Sequence, residues 1–289
     1  ALLAGVLARF GLDAFVALKA DLPLVALMLF TYLLGRRTEA QPLKLAFGGQ
    51  PDAKDFGRTL ADGALLIYLG CLGLLVRSHE TSAEALQISL VAYALYGCAR
   101  LLDSSSKISA LKLGLTLGLL VLTRGWVLPA TLSVCLIGLC FYRQQTQYQL
   151  LLKLTIPAAL IVAGSWLLAI AMVNPFDSSP YPAWMLWNTR QIDLPSFASI
   201  TYLLKYGIWF AWPAWPFAAW AIYAWRKQEK ALHISLPVTF LACFILLALI
   251  NPFSEEGILL PILPPLAILA AFGLPTMKRS ASAACCEPG

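Results

Sequence analysis

Long apolar segments alternate with short polar ones along most of the chain. About 20 apolar residues are enough to cross the hydrocarbon core of a bilayer as an α-helix, and lipid-exposed backbone in that core must be helical or closed into a barrel. The pattern predicts an all-α, polytopic bundle of about nine transmembrane helices. The nine predicted spans are residues 14–34, 60–76, 83–102, 111–123, 126–142, 150–173, 200–225, 232–250 and 257–274.

Three of these segments depart from a simple span. The fourth has only 13 apolar residues, which rise about 20 Å against a core of about 30 Å, so we expect it to depend on its neighbours. Pro213 and Pro216 should kink the seventh. The stretch before the seventh, with Trp184 and Trp187, is predicted to lie at the membrane surface, where Trp is favoured.

Composition agrees with a membrane protein. Hydrophobic residues make up 60% of the chain, charged residues 12%, and the mean hydropathy is +0.75. The formal net charge of +6 comes from loop residues, so we expect membrane lipids and not nucleic acid as a partner. The cysteines inside apolar segments show no disulfide pattern.

The distribution of cations predicts an orientation. If Arg36-Arg37 is cytoplasmic and all nine segments cross, fifteen of the 21 lysines and arginines lie on the cytoplasmic side, as the positive-inside rule requires. The opposite face then collects the unusual polar residues. They are Arg77, His79, Glu80, Arg124, Lys205, Glu255 and Glu256.

The polar stretch Arg77-Ser78-His79-Glu80 interrupts an otherwise apolar region and is a candidate for catalysis. Adjacent helical residues point about 100° apart, so His79 and Glu80 alone do not make a two-ligand metal site. Together with Glu84, Glu255 or Glu256 they could bind a divalent metal ion or transfer a proton. The alternative is a hairpin turn that faces water.

Arg77 and Arg124 lie at span ends where the orientation rule disfavours cations. A guanidinium matches phosphate geometry, and a lipid-linked phosphate would lie at the same depth. The alternative is that both side chains reach lipid headgroups. His233, at a cytoplasmic helix end, is predicted to be interfacial.

Three stretches resemble the GT-C superfamily of membrane glycosyltransferases, in particular bacterial relatives of protein mannosyltransferases and of the lipid A aminoarabinose transferase. Residues 113–125 resemble the family's glycine-spaced helix that ends in Leu-Thr-Lys/Arg-Gly. Residues 259–271 resemble its late Leu-Pro-x-x-Pro-Pro-Leu-Ala helix. Arg77-Ser78-His79-Glu80 occupies the place of an Arg followed by an acidic residue.

The resemblance implies transfer of a sugar from a polyprenyl phosphate to a lipid, glycan or protein acceptor at the periplasmic face of a bacterial inner membrane. It implies that Arg124 holds the donor phosphate, and that Glu80 and His79 line a cavity near the acceptor or a metal. Arg77 and Lys205 are further substrate-binding candidates. Glu255 and Glu256 replace a basic or tyrosine residue of relatives and could bind a cationic group.

The family's catalytic base is an Asp after the first span. This chain opens at Ala1, so we expect that base to precede it and residues 1–279 to form a partial transmembrane domain. Residues 280–289 lack apolar periodicity and are predicted to be a disordered tail. The second hypothesis is a transporter or flippase of a lipid-linked or anionic substrate, which should show paired broken helices near the membrane midplane. A third is a purely structural subunit.

Overall fold

A computed structural model of the protein describes residues 12–37, 52–77, 83–143, 147–173, 181–252 and 256–284. Throughout these ranges the regular structure is helical and no strand occurs, which confirms the predicted all-α class. The helices are α1 Leu12–Gly35, α2 Ala53–Leu69, α3 Leu72–Arg77, α4 Ala83–Ser104, α5 Lys107–Arg124, α6 Val127–Tyr142, α7 Ile156–Val173, α8 Tyr181–Thr189, α9 Phe197–Tyr202, α10 Ile208–Phe210, α11 Ala214–Ala224, α12 Leu232–Ile250 and α13 Leu263–Ala284.

Turns of π and 3-10 geometry adjoin several of these helices. A π-turn at Leu151–Thr155 leads into α7, and another at Leu203–Gly207 joins α9 to α10. Two 3-10 turns, Glu256–Ile258 and Leu260–Ile262, precede α13. That last helix continues to Ala284, into the segment predicted as a tail, and residues 285–289 lie outside the described residues.

Helix α5 is longer than the 13-residue apolar segment that predicted the fourth span. It has 18 residues and starts at Lys107, so it rises about 27 Å. Its first turn carries Lys107 and Ser109, which lower the hydropathy without preventing helix formation. The expected dependence of this span on its neighbours stays a prediction.

Two predicted spans are broken, and the breaks meet each other. The second span divides into α2 and α3 at Gly70-Cys71, and the seventh divides between α10 and α11, which confirms the predicted proline kink. The Leu72 N–H donates a hydrogen bond of 3.1 Å to the carbonyl of Trp212. Because each break supplies a partner for the other, the interrupted backbone is tolerated inside the bundle.

By length and composition, three helical stretches of the described chain could cross a membrane: Tyr148–Ala169, Leu232–Ile250 and Leu260–Met277. They lie at different depths within the bundle. Of the most apolar 18-residue window in each stretch, 78% is buried in Leu260–Met277 and 11% in Tyr148–Ala169. Helix α13 is therefore the centre of the bundle, and α7 is a peripheral helix with an exposed apolar face.

Two glycines one turn apart let α7 approach α5. A Cβ at Gly114 would lie 2.5 Å from the Thr155 carbonyl oxygen, and a Cβ at Gly118 would lie 2.6 Å from the Cβ of Val162. Small residues at this spacing allow two membrane helices to pack backbone to backbone. The glycine spacing of α5 thus has a packing function.

One end of the bundle is closed by polar contacts between helices. Arg37 at the end of α1 pairs with Asp103 of α4. Arg143, just after α6, donates a hydrogen bond of 3.0 Å to Ser235 of α12. The prediction that His233 is interfacial is wrong: it is 1% exposed and its ring packs between Trp225 and Phe272. The candidate site lies at the opposite end.

Candidate functional site

An open cavity lies where α4 and α6 begin and where α5 and α12 end. The 3-10 turns before α13 and the segment after α8 complete it. The lining residues are Gln87, Leu120, Gly125, Val127, Leu128, Gln191, Phe244, Leu247, Asn251, Gly257, Ile258 and Pro261.

The turn between α5 and α6 has a backbone that only glycine adopts readily. Gly125 has φ 116° and ψ −179°, a conformation in which any other residue is strained. A Cβ at this position would also lie 2.0 Å from Oδ1 of Asn188. Glycine is therefore required here both by the backbone and by its neighbour.

Asn188 of α8 fixes this turn in place. The side chain is fully buried; its Oδ1 accepts a hydrogen bond of 3.0 Å from the backbone N–H of Trp126. Its Nδ2 donates one of 2.9 Å to the Trp184 carbonyl. The short helix predicted as a surface loop thus holds the end of α5, 62 residues away in sequence.

The segment after α8 is attached to the end of α12. The Asp193 N–H donates a hydrogen bond of 2.9 Å to the carbonyl of Ile250, and Ser199 donates one of 3.4 Å to the carbonyl of Asn251. These two bonds attach residues 193–199 to the end of α12. Gln191, two residues before Asp193, lines the cavity.

Two amide side chains of the wall have unpaired polar atoms. Gln87 is only 5% exposed, and its Oε1 has no hydrogen-bond partner in the described part of the protein. The Nε2 of half-buried Gln191 likewise has none there. Buried polar groups are nearly always paired, so these two point to a ligand or to bound water.

Two of the predicted site residues directly precede residues that line this cavity. Arg124 is the last residue of α5 and directly precedes Gly125, and Glu256 directly precedes Gly257. Arg77 ends α3. The side chains of these three residues, and the whole of His79, Glu80 and Glu255, lie outside the described residues. Their roles stay predictions.

Lys205 is described, and it does not line the cavity. It lies in the π-turn between α9 and α10, where its side chain is exposed and its Nζ is 5.4 Å from the centre of the Tyr206 ring. The structure therefore does not bring Lys205 to the wall formed by Gln87, Gly125 and Gln191.

Sequence reasoning missed Gln87, Asn188 and Gln191. A signal did exist for Gln87, because an uncharged amide inside an apolar helix is uncommon and needs a partner. Asn188 and Gln191 lie in a segment that is polar throughout, so only contacts distinguish them. The sequence left a metal site open, and the described residues include no group of three or more His, Cys, Asp or Glu side chains that could hold an ion.

Comparison with protein families and with curated proteins gives no match for this chain. Its fold does resemble a solved structure, that of ArnT from Cupriavidus metallidurans bound to undecaprenyl phosphate, with a TM-score of 0.69 and 15% sequence identity. The match covers 94% of this chain and 50% of ArnT, so the chain spans about half the length of that protein. The chain therefore shares the helical fold of about half of ArnT.

Proposed function

We propose that this chain is part of a membrane glycosyltransferase that moves a sugar from a polyprenyl-phosphate donor to a lipid, glycan or protein acceptor. The observation that carries the proposal is the shared fold with ArnT, over 94% of the chain. That solved structure holds undecaprenyl phosphate, the chemical class of donor that the sequence motifs also suggest. By the same proposal the site faces the periplasm of a bacterial inner membrane.

The cavity supplies a place for the donor headgroup. Helix α5 ends at Arg124, and the Gly125–Asn188 contact holds that end at the cavity wall. A guanidinium at the wall would bind phosphate through two parallel hydrogen bonds, and Arg77 is the second candidate for this role. Apolar wall residues such as Leu120 and Phe244 exclude water around the charged group.

The proposed reaction is a single displacement. An acceptor oxygen attacks the anomeric carbon, the bond from that carbon to the phosphate oxygen breaks, and polyprenyl phosphate leaves with the electron pair. A base takes the proton of the acceptor hydroxyl. Glu80 and His79 are the candidates in this chain; Glu255, Glu256 and Lys205 remain substrate-binding candidates.

The transporter hypothesis predicted paired broken helices near the membrane midplane, and two of the predicted spans are broken within the described ranges. They do not form a binding site in the described residues. Cys71 at one break is fully buried, a Cβ at Gly73 would lie 2.4 Å from the Phe210 ring, and Leu72 donates to Trp212. In a transporter site the freed backbone groups face substrate or ions, whereas here they bond to each other. The breaks thus favour a packed joint over a transport pathway.

The test is binding of undecaprenyl phosphate to the full-length protein in lipid nanodiscs, followed by sugar transfer in membranes. Arg124→Ala should weaken binding about 10- to 150-fold, the loss expected for one hydrogen bond to a charged group. Arg226→Ala is the matched control, because Arg226 is exposed in the turn after α11 and packs on Tyr223. It should bind the lipid as the wild type does.

Two results would contradict the proposal. One is a wild-type protein that does not bind undecaprenyl phosphate. The other is binding of a glycosylated undecaprenyl phosphate that is carried across the bilayer unchanged, with no sugar transferred, which would favour the transporter.

A further inference from the structure

We propose that Gln87 and Gln191 form a sugar-binding subsite, in which their amides bind hydroxyl groups of the donor sugar. This inference rests on the proposed function and deepens it, because it assigns a part of the cavity to the transferred group. Both residues belong to the same wall.

Gln87 carries most of the argument. It lies one turn into α4, lines the cavity and is 5% exposed, and its buried Oε1 has no partner among the described residues. An unpaired buried amide destabilises the folded protein, and an apolar side chain of the same shape would not. The Oε1 of Gln87 therefore needs a partner from outside the described residues, and we assign that partner to a sugar hydroxyl.

Gln191 contributes the second amide of the proposed subsite. Its Nε2, a donor, has no partner in the described ranges, whereas the atom of Gln87 that lacks one there is an acceptor. A hydroxyl group both donates and accepts, so a polyhydroxylated ring can satisfy the two amides together, which a phosphate cannot do. The wall near them also includes Phe244 and Leu120, against which the C–H faces of a sugar ring can pack.

The two glutamines share a cavity with the neighbour of Arg124, and this favours the sugar of the donor as the group that they bind. In the donor the sugar is joined directly to the phosphate. Gly125, the neighbour of Arg124, lines the same cavity as both glutamines. A phosphate held at the end of α5 therefore leaves its sugar within this cavity.

The test compares three lipids on the full-length protein in nanodiscs: undecaprenyl phosphate, an undecaprenyl-phosphate-linked hexose and an undecaprenyl-phosphate-linked pentose. The variants are Gln87→Met and Gln191→Met, which keep the side-chain length and remove the amide. Gln228→Met is the matched control, because Gln228 is exposed in the turn between α11 and α12.

We expect the wild type to bind one glycosylated lipid more tightly than undecaprenyl phosphate. Each variant should weaken that binding about two- to tenfold, the equivalent of one neutral hydrogen bond, and leave binding of undecaprenyl phosphate unchanged. Gln87→Met should melt at the same temperature as the wild type or higher, so a weaker affinity would not reflect misfolding.

The two proposals fail in different ways. If the wild type binds undecaprenyl phosphate but gains nothing from either sugar, or if both variants retain the full gain, the subsite is refuted and the proposed function stands. If the wild type binds none of the three lipids, the proposed function fails and the subsite falls with it.

Discussion

Alanine in place of Gly125, in the turn that ends α5, should destabilise the folded protein. Contact with Asn188 should account for about half of the lost free energy of unfolding. We consider Gly125→Ala in two backgrounds, the wild type and Asn188→Ala. In the wild type the new methyl group meets two obstacles: the φ of 116° and the Oδ1 of Asn188 at 2.0 Å from the Cβ. In the second background only the backbone obstacle remains.

The expected free energies follow from these contacts. The strained backbone costs about 1–3 kcal/mol for a residue other than glycine. Displacing Asn188 also breaks its hydrogen bonds to Trp126, 3.0 Å, and to Trp184, 2.9 Å, each contributing about 1 kcal/mol. Gly125→Ala should therefore cost about 4 kcal/mol in the wild type and about 2 kcal/mol in the Asn188→Ala protein. The coupling energy between the two positions is about 2 kcal/mol.

The assay is thermal unfolding of the four purified proteins in one detergent at one scan rate. A loss of 1 kcal/mol lowers the melting temperature by about 2–4 °C in domains of this size class. The control is Gly138→Ala in the adjacent helix α6, where a Cβ meets nothing within 4 Å and alanine should be neutral or stabilising. Equal losses for Gly125→Ala in both backgrounds, or a loss no larger than that of Gly138→Ala, would refute the reasoning.

Three further predictions follow from the packing and the site. Gly118→Val should lower the free energy of unfolding by about 1–3 kcal/mol, because a Cβ at this position lies 2.6 Å from the Cβ of Val162 in the α5–α7 contact. In thermal unfolding the melting temperature should fall further than for Gly164→Val, where the space around the Cβ is open. Gly73→Ala should lower the melting temperature, and Phe210→Ala in the same chain should restore part of the loss, because the clash is with the Phe210 ring. Arg124→Ala and Glu80→Ala, at equal expression, should reduce sugar transfer in membranes; unchanged transfer in both would remove them from the site.

The role of α8 shows why the site could be predicted only in part. Its Trp residues predicted a segment at the membrane surface, and in the structure this segment is a helix with exposed Met185, Leu186 and Trp187. The same helix also carries buried Asn188, which holds a turn 62 residues earlier in the chain. A contact over that distance leaves no periodic trace in the sequence, and a single Asn in a polar segment predicts nothing by itself.

The apolar pattern alone determined that this protein is a helical membrane protein, and it located the helices closely; α12 has the predicted bounds, 232–250. Such predictions succeed because hydropathy and backbone hydrogen bonding are local properties in a bilayer. The same pattern could not tell the central helix α13 from the peripheral α7, which are 78% and 11% buried over their apolar stretches.

Only the tertiary structure decided which helix ends meet. Lipid and protein interior are equally apolar, so a hydrophobic residue is compatible with either, and packing between membrane helices depends on shape and on a few polar contacts. The joint of Leu72 with Trp212, the fit of Gly125 against Asn188, and the cavity lined by Gln87 and Gln191 all arise from such contacts. They join residues far apart in the chain, and their geometry is therefore set by the assembled bundle.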